Sequence, residues 1–231
     1  MPFQPVETRR LYERVADQIG DLIRSGEYLP GQRLPAERDL AKTLAVSRPV
    51  VREAMIALEV AGLVEVRTGA GAFVREKPVE APAGLNAGHS PSDLLNARML
   101  IESEIAALAA INATAADFAN IAETIAQMTL EHDAGRPWHM WDLAFHVAVA
   151  QATGNSALAD VVERLWQEQH APVFSLLSER VHLTENWPAT QQRHQDILDA
   201  IRAGKPKVAK AAVQSHLGQV LDVLTGDEVD A

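Results

Sequence analysis

The sequence predicts a mainly α-helical chain: an N-terminal winged helix-turn-helix domain followed by a C-terminal all-α antiparallel helical bundle. Three observations carry this. Residues Leu34 to Gly71, LPAERDLAKTLAVSRPVVREAMIALEVAGLVEVRTGAG, read as helix, tight turn, helix and two-strand hairpin. The segment after it, Glu76 to Ser90, has no apolar period and is rich in Pro, Gly and small residues. From residue 91 onward, apolar residues recur at helical spacing with no convincing strand.

Each element has its own signals. Pro35 stands where a helix can begin, and Glu37 and Asp39 lie near the positive end of the first short helix. Ala45-Val46 makes the turn, and Ser47 sits at the N-cap of the second helix. Val51, Ala54, Met55 and Leu58 then fall on one inward face, and Gly62 ends the helix as a C′ residue. Leu63 to Arg67 alternates as a half-buried strand, Thr68 to Gly71 turns, and Ala72 to Arg75 returns. The bundle helices are expected at 91–112, 115–134, 137–153, 156–177, 188–203 and 206–224. Gly135, Gly154, Gly204 and Gly226 supply the stops, and short connections imply antiparallel neighbours. The expected division is therefore 1–75 as reader, 76–90 as linker and 91–231 as helical domain.

This order of elements places one helix in the major groove of double-stranded DNA. Arg48 and Arg52 lie one turn apart on the face opposite the apolar stripe, in the half of the helix that meets base edges. A guanidinium can bridge guanine O6 and N7, which an ammonium does less selectively. Arg38 and Lys42, on the preceding helix, are placed for phosphates. Any one such Arg alone reads better as a solvated helix charge. The complete capped order favours DNA.

The chain has 231 residues, 47% of them hydrophobic, enough for one large or two modest domains. Its net charge of −10 is unevenly spread. Residues 1–75 carry 11 basic against 10 acidic side chains, the remainder 10 against 21. An acidic body repels DNA, whereas a near-neutral reader with clustered Arg need not. The N-terminus lacks the charged and apolar regions of a signal peptide, and no apolar run reaches the length of a membrane span. Zero Cys excludes disulfides and thiolate metal sites and suits a cytoplasmic location.

In the bundle, Asp142 and His146 share one helix face amid Leu143, Ala144, Phe145, Val147, Ala148, Val149 and Ala150. A buried Asp there costs several kcal/mol, order of magnitude, unless paired or bound to a cation. His194 lies on the apolar stripe of Leu198 and Ile201, and His216 on that of Val213, Leu217 and Val220. A bundle can bring three such helices to one interior point, giving one oxygen and three nitrogen ligands for a divalent metal. A lone His on an apolar face is more often a hydrogen-bonded core residue; convergence of three with an Asp favours the metal. His89, His132, His139, His170 and His182 lack such surroundings. Imidazole-rich ligation suits zinc first, with nickel or manganese as alternatives. Spare coordination positions attract a carboxylate, so a small organic acid is the natural effector. Arg98 could pair with it bidentately or simply bridge to Glu102, and Trp187 could wall the pocket or belong to the core.

Thr8 to Arg75 resembles the DNA-binding domain of the GntR regulators. The resemblance rests on Leu11-Tyr12, Gly31 to Ala41, Val46-Ser47-Arg48, Val51-Arg52-Glu53-Ala54, Leu58 and Gly62-Leu63-Val64. It implies that Arg38, Arg48 and Arg52 touch DNA, with Thr68-Gly69 at the hairpin tip entering the minor groove, and Ser47, Pro49 and Val50 beside them are expected in the same interface. Pro49-Val50 stands where small hydroxyl residues are frequent in the family. Pro91 to Leu224 is similar to the helical FCD effector domain of the FadR-like subfamily. That likeness lies in Asp142-x-x-x-His146, His194, His216, Arg98-x-x-x-Glu102 and Ala152-Thr153-Gly154-Asn155. It implies metal at Asp142, His146, His194 and His216, and effector contacts from Arg98, Asn155 and Trp187, with sugar acids favoured. Arg9 to Tyr12 and Val64 to Arg67 look closest to the hexuronate-responsive members.

The function expected is a homodimeric transcription regulator, acting as a repressor, whose operator binding responds to a small carboxylic acid at the metal. A metal-responsive regulator with the ion as signal, and a metal-dependent hydrolytic enzyme, are the alternatives, since three His and a carboxylate can also activate water.

Overall fold

The structure is a computed structural model, and it describes residues 10–67, 70–76, 88–180 and 187–225. The described residues form two compact units, one from the 1–91 and 171–179 segments and one from the 92–170 and 180–231 segments.

In the first unit, α1 (Leu11–Arg24), α2 (Glu37–Leu44) and α3 (Arg48–Val60) precede β1 (Val64–Arg67) and β2 (Gly71–Val74). The inward face of α3, Val51, Ala54, Met55 and Leu58, is buried against α1 and α2. Burying Val51, Met55 and Leu58 contributes about 1.5–3 kcal/mol each, which is what holds the three helices in place. The turn between α2 and α3 depends on Ala45, left-handed at φ 54°, a conformation that costs a non-glycine residue about 1–2 kcal/mol. Ser47 takes the extended N-cap conformation, though its side chain makes no capping hydrogen bond. Gly62, at φ 71°, closes α3 by donating to the Glu59 carbonyl. The hairpin is antiparallel with Val64 opposite Val74, and residues 31–34 add a further edge through Leu34 N–H to Ala72 and Val74 N–H to Gln32. Gly71 sits at φ 103°, where a Cβ would approach the Arg33 Nε to 3.0 Å. Only glycine fits there without strain.

The helices of the second unit are α4 (Pro91–Asn112), α5 (Ala115–Asp133), α6 (His139–Gln151), α7 (Ser156–Gln167), α9 (Trp187–Arg202) and α10 (Pro206–Thr225). Pairings α5 with α6, α6 with α7, α5 with α9 and α9 with α10 enclose one apolar core that includes Ile105, Ile121, Met128, Phe145 and Leu217. The single helix expected over 156–177 is instead broken. After α7 a 3-10 turn runs over Glu168–His170, and α8 (Pro172–Arg180) begins anew. Pro172 explains the break: it has no N–H to donate, and its ring clashes with the carbonyl four residues back. Residues 171–179 belong with the first unit. No described helix is long and apolar enough to cross a membrane.

Candidate metal centre and DNA-reading helix

α6, α9 and α10 each turn a histidine into the interior. His146, His194 and His216 are 4%, 0% and 5% exposed, so water does not satisfy them. Asp142, one turn before His146, completes the group, and one potential ligand atom from each lies within 4.8 Å of all the others. His194 Nε2 is 3.0 Å from Asp142 Oδ1, and His146 Nε2 is 3.7 Å from the same oxygen. Neither contact has hydrogen-bond alignment: Asp142 Oδ1, His146 Nε2 and both ring nitrogens of His194 are buried without a partner. Such orphaned groups cost about 1–3 kcal/mol each, so three converging from Asp142, His146 and His194 are not a stable end in themselves. A cation there answers those three at once, taking one ring nitrogen of His194. Ligand atoms around a tetrahedral ion bound at about 2.2 Å are about 3.6 Å apart, so closure from at most 4.8 Å asks for movements of no more than about an ångström. The residues fit a divalent metal.

Electrostatics keep the ligands in the binding form. Burial would raise the Asp142 carboxyl, but the adjacent His194, with His146 and His216 behind it, holds it well below the usual carboxylate range. His216 is pushed well below the usual imidazole value, first by burial and then by repulsion from His194 and His146. A deprotonated carboxylate and a neutral imidazole are the states that coordinate.

A second layer lies behind His146. Glu102 Oε2 is 2.6 Å from His146 Nδ1, and Arg98 donates from Nε to Glu102 Oε1 at 2.6 Å. The Arg98 Nη1 donates to Gln169 at 3.0 Å, and its guanidinium lies 4.8 Å over the Trp166 ring. Burial would raise the Glu102 carboxyl, but Arg98 and His146 outweigh it and hold it at about 2. Arg98 thus makes the intrahelical bridge to Glu102. Trp187 is a core residue, stacked on His132 at 4.6 Å and tilted against Trp138 at 5.0 Å. Asn155 is exposed and spends its amide oxygen on the N-cap of α7, accepting from Ala157 N–H at 3.1 Å. Of the three expected effector contacts, only Arg98 stands close to the ligand group. The sequence marked Glu102 as its helical partner but gave no sign of its bond to His146, which lies on another helix.

On the reader, Ser47 and Arg48 are exposed at the start of α3, and Arg38 is exposed on α2. Pro49 and Val50 are half-buried behind them. Arg52 is also half-buried, with Nη2 3.2 Å from Glu37 Oε2. One of the two expected base-reading arginines therefore presents itself freely, and the other lies in an ion pair with α2. Thr68 and Gly69 lie outside the described residues.

Comparison with known proteins agrees with this architecture. The family model "Bacterial regulatory proteins, gntR family" matches residues 11–74, and the "FCD domain" model matches residues 93–219. The "Exu regulon transcriptional regulator" of Escherichia coli K12 is 40% identical over 97% of this chain and 88% of its own length. The "Uxu operon transcriptional regulator" of the same organism is 37% identical over 92% of this chain and 86% of its own. A solved GntR-family transcriptional regulator from Pseudomonas syringae, 26% identical, superposes with a TM-score of 0.51 over 94% of this chain and 85% of its own. A reader helix that exposes Arg48, a helical domain later in the chain and these matches leave one conclusion: the chain is a transcription regulator of the GntR family, of the FadR-like type with an FCD domain, and not an enzyme.

Proposed function

We propose that this regulator is a cytoplasmic homodimer that represses its operator until a small carboxylic acid binds at a divalent metal in the helical domain. The reader is taken as residues 1–75, the connection as 76–90 and the effector domain as 91–231. Asp142, His146, His194 and His216 hold the ion, with zinc the first choice and nickel or manganese the alternatives. The observation that carries this reading is the convergence of four inward-facing residues, three of which each bring a buried polar atom without a hydrogen-bond partner. When bound, a metal supplies positive charge and free coordination positions to which a carboxylate is drawn. The relatives named for the Exu regulon and the Uxu operon favour a sugar acid. Two-fold symmetry follows from the reader, because one half-site gives too little specificity and a dimer supplies the second. Effector binding changes operator affinity only if it favours one arrangement of the readers over another.

A thermal-shift screen of sugar acids and other small carboxylic acids, with and without chelator, tests this. A ligand held at 100 times its Kd adds about 2.7 kcal/mol to folded-state stability. The expected result is a rise in melting temperature with a sugar acid that chelation removes, together with release of operator DNA. Release by the metal alone would turn the reading toward an ion sensor. A rise that survives chelation would separate effector from metal.

A further inference from the structure

We infer that Glu102 is a positioning residue for the metal: its carboxylate, fixed by Arg98, accepts a hydrogen bond from the Nδ1–H of His146 and so presents the Nε2 lone pair to the point shared with Asp142, His194 and His216. This rests on the metal reading above.

The geometry leaves little choice of tautomer. His146 Nδ1 lies 2.6 Å from Glu102 Oε2, a distance at which two lone pairs would repel and an N–H is required. A neutral imidazole carries one proton, so Nε2 is then bare. That nitrogen is buried with no partner and faces the ligand group. Carboxylates that fix the far nitrogen of a coordinating His are a general device for orienting ring and lone pair.

Arg98 is what lets a carboxylate serve here. Glu102 is 3% exposed, and a buried carboxylate without a counter-charge is strongly destabilising. Arg98 donates from Nε to Oε1 at 2.6 Å and from Nη2 to Oε2 at 3.4 Å, leaving Oε2 free to accept from His146 as well. Gln169 and the Trp166 face hold the guanidinium from the other side. All the hydrogen bonds to Glu102 are ones that it accepts. An amide cannot replace it, because one of its two end atoms is a donor. That donor would face either Arg98 Nε–H or His146 Nδ1–H at 2.6 Å.

The test is Glu102→Gln in the full chain, with zinc alone as probe in competition against a chromophoric chelator. The expected loss is about ten- to a hundredfold in zinc affinity. Unchanged affinity overturns the assignment. A second measurement needs no variant: the 15N shifts of His146 in stripped wild-type protein at neutral pH or above. A proton on Nδ1 and a bare Nε2 support the proposal, and a ring carrying a proton on Nε2 overturns it. A merely structural carboxylate would not dictate which ring nitrogen is protonated. Wild-type protein that takes up no zinc defeats the metal reading itself. Zinc uptake equal in wild type and Glu102→Gln defeats only the role of Glu102.

Discussion

Two arginines one turn apart on α3 meet different local environments. Arg48 is exposed at the first position of the helix, with Ser47 exposed just before it. Arg52 is half-buried and paired with Glu37 across the gap to α2. A half-exposed pair of this sort at the surface is worth on the order of 1 kcal/mol, so it restrains Arg52 more than it stabilises the fold. Arg48 can reach a base edge without leaving a partner; Arg52 must first exchange Glu37 for DNA. Arg48→Ala should therefore weaken operator binding by about 1–3 kcal/mol and relax preference at one base position. Fluorescence anisotropy with matched and scrambled duplexes at fixed salt measures this. An undiminished preference for the matched duplex would remove Arg48 from base reading. Salt must be held constant, because counterion release makes phosphate-driven affinity fall steeply with ionic strength.

At the scale of elements, α1 ties residues just before α4 to the reader. Tyr12 is 1% exposed, and its hydroxyl donates to the Gly88 carbonyl at 2.8 Å, an acceptor it shares with Arg10. Ser90 Oγ donates to the buried Glu53 of α3 at 2.9 Å. Burial, joined by the negative charges of Glu13 and Glu53 and opposed by Arg10, raises the Tyr12 phenol from its ordinary 10 to about 12. A raised folded value stabilises below the unfolded one, so the contribution is whole under pH 10 and is lost as pH climbs through 12. Titration followed by tyrosinate absorbance should show a phenol ionising near pH 12 that Tyr12→Phe removes. Ionisation of Tyr12 at its ordinary value of 10 would contradict the buried donor. Local signals of this kind were legible before any coordinates. The expected stops at Gly135, Gly154 and Gly204 fall just past the ends of α5, α6 and α9, and the hairpin runs where alternation placed it. Helical period also put Asp142, His146, His194 and His216 on inward faces, and the fold brings them together. The break before Pro172 is legible in the proline itself, which the single helix expected over 156–177 passes over. What no local pattern could reveal was contact between helices. Glu102 with His146, and Glu37 with Arg52, pair residues whose separation follows only from packing.

Across the whole molecule, the metal centre makes stability depend on pH and on the ion together. The folded state holds His216 neutral well below its ordinary value, through burial first and then the nearby His194 and His146. The unfolded chain protonates that ring near pH 6.5, so acid favours unfolding. The stabilisation is therefore complete above about pH 6.5 and declines as pH falls below it. The carboxylates do not confuse this window. Asp142 is held well below the usual range and Glu102 at about 2, so their contributions are lost only under the ordinary carboxylate values near 4. Zinc should act in the same direction, because protons and metal compete for the same nitrogens. Melting curves of stripped protein should then fall in midpoint between pH 8 and 5.5. Added zinc should raise the midpoint most at pH 8 and least at 5.5. His216→Gln should flatten the slope of the stripped protein and abolish most of the zinc increment. A stripped protein equally stable across that range would mean His216 is not held neutral in the core. A zinc increment untouched by His216→Gln would remove that residue from the ligand set.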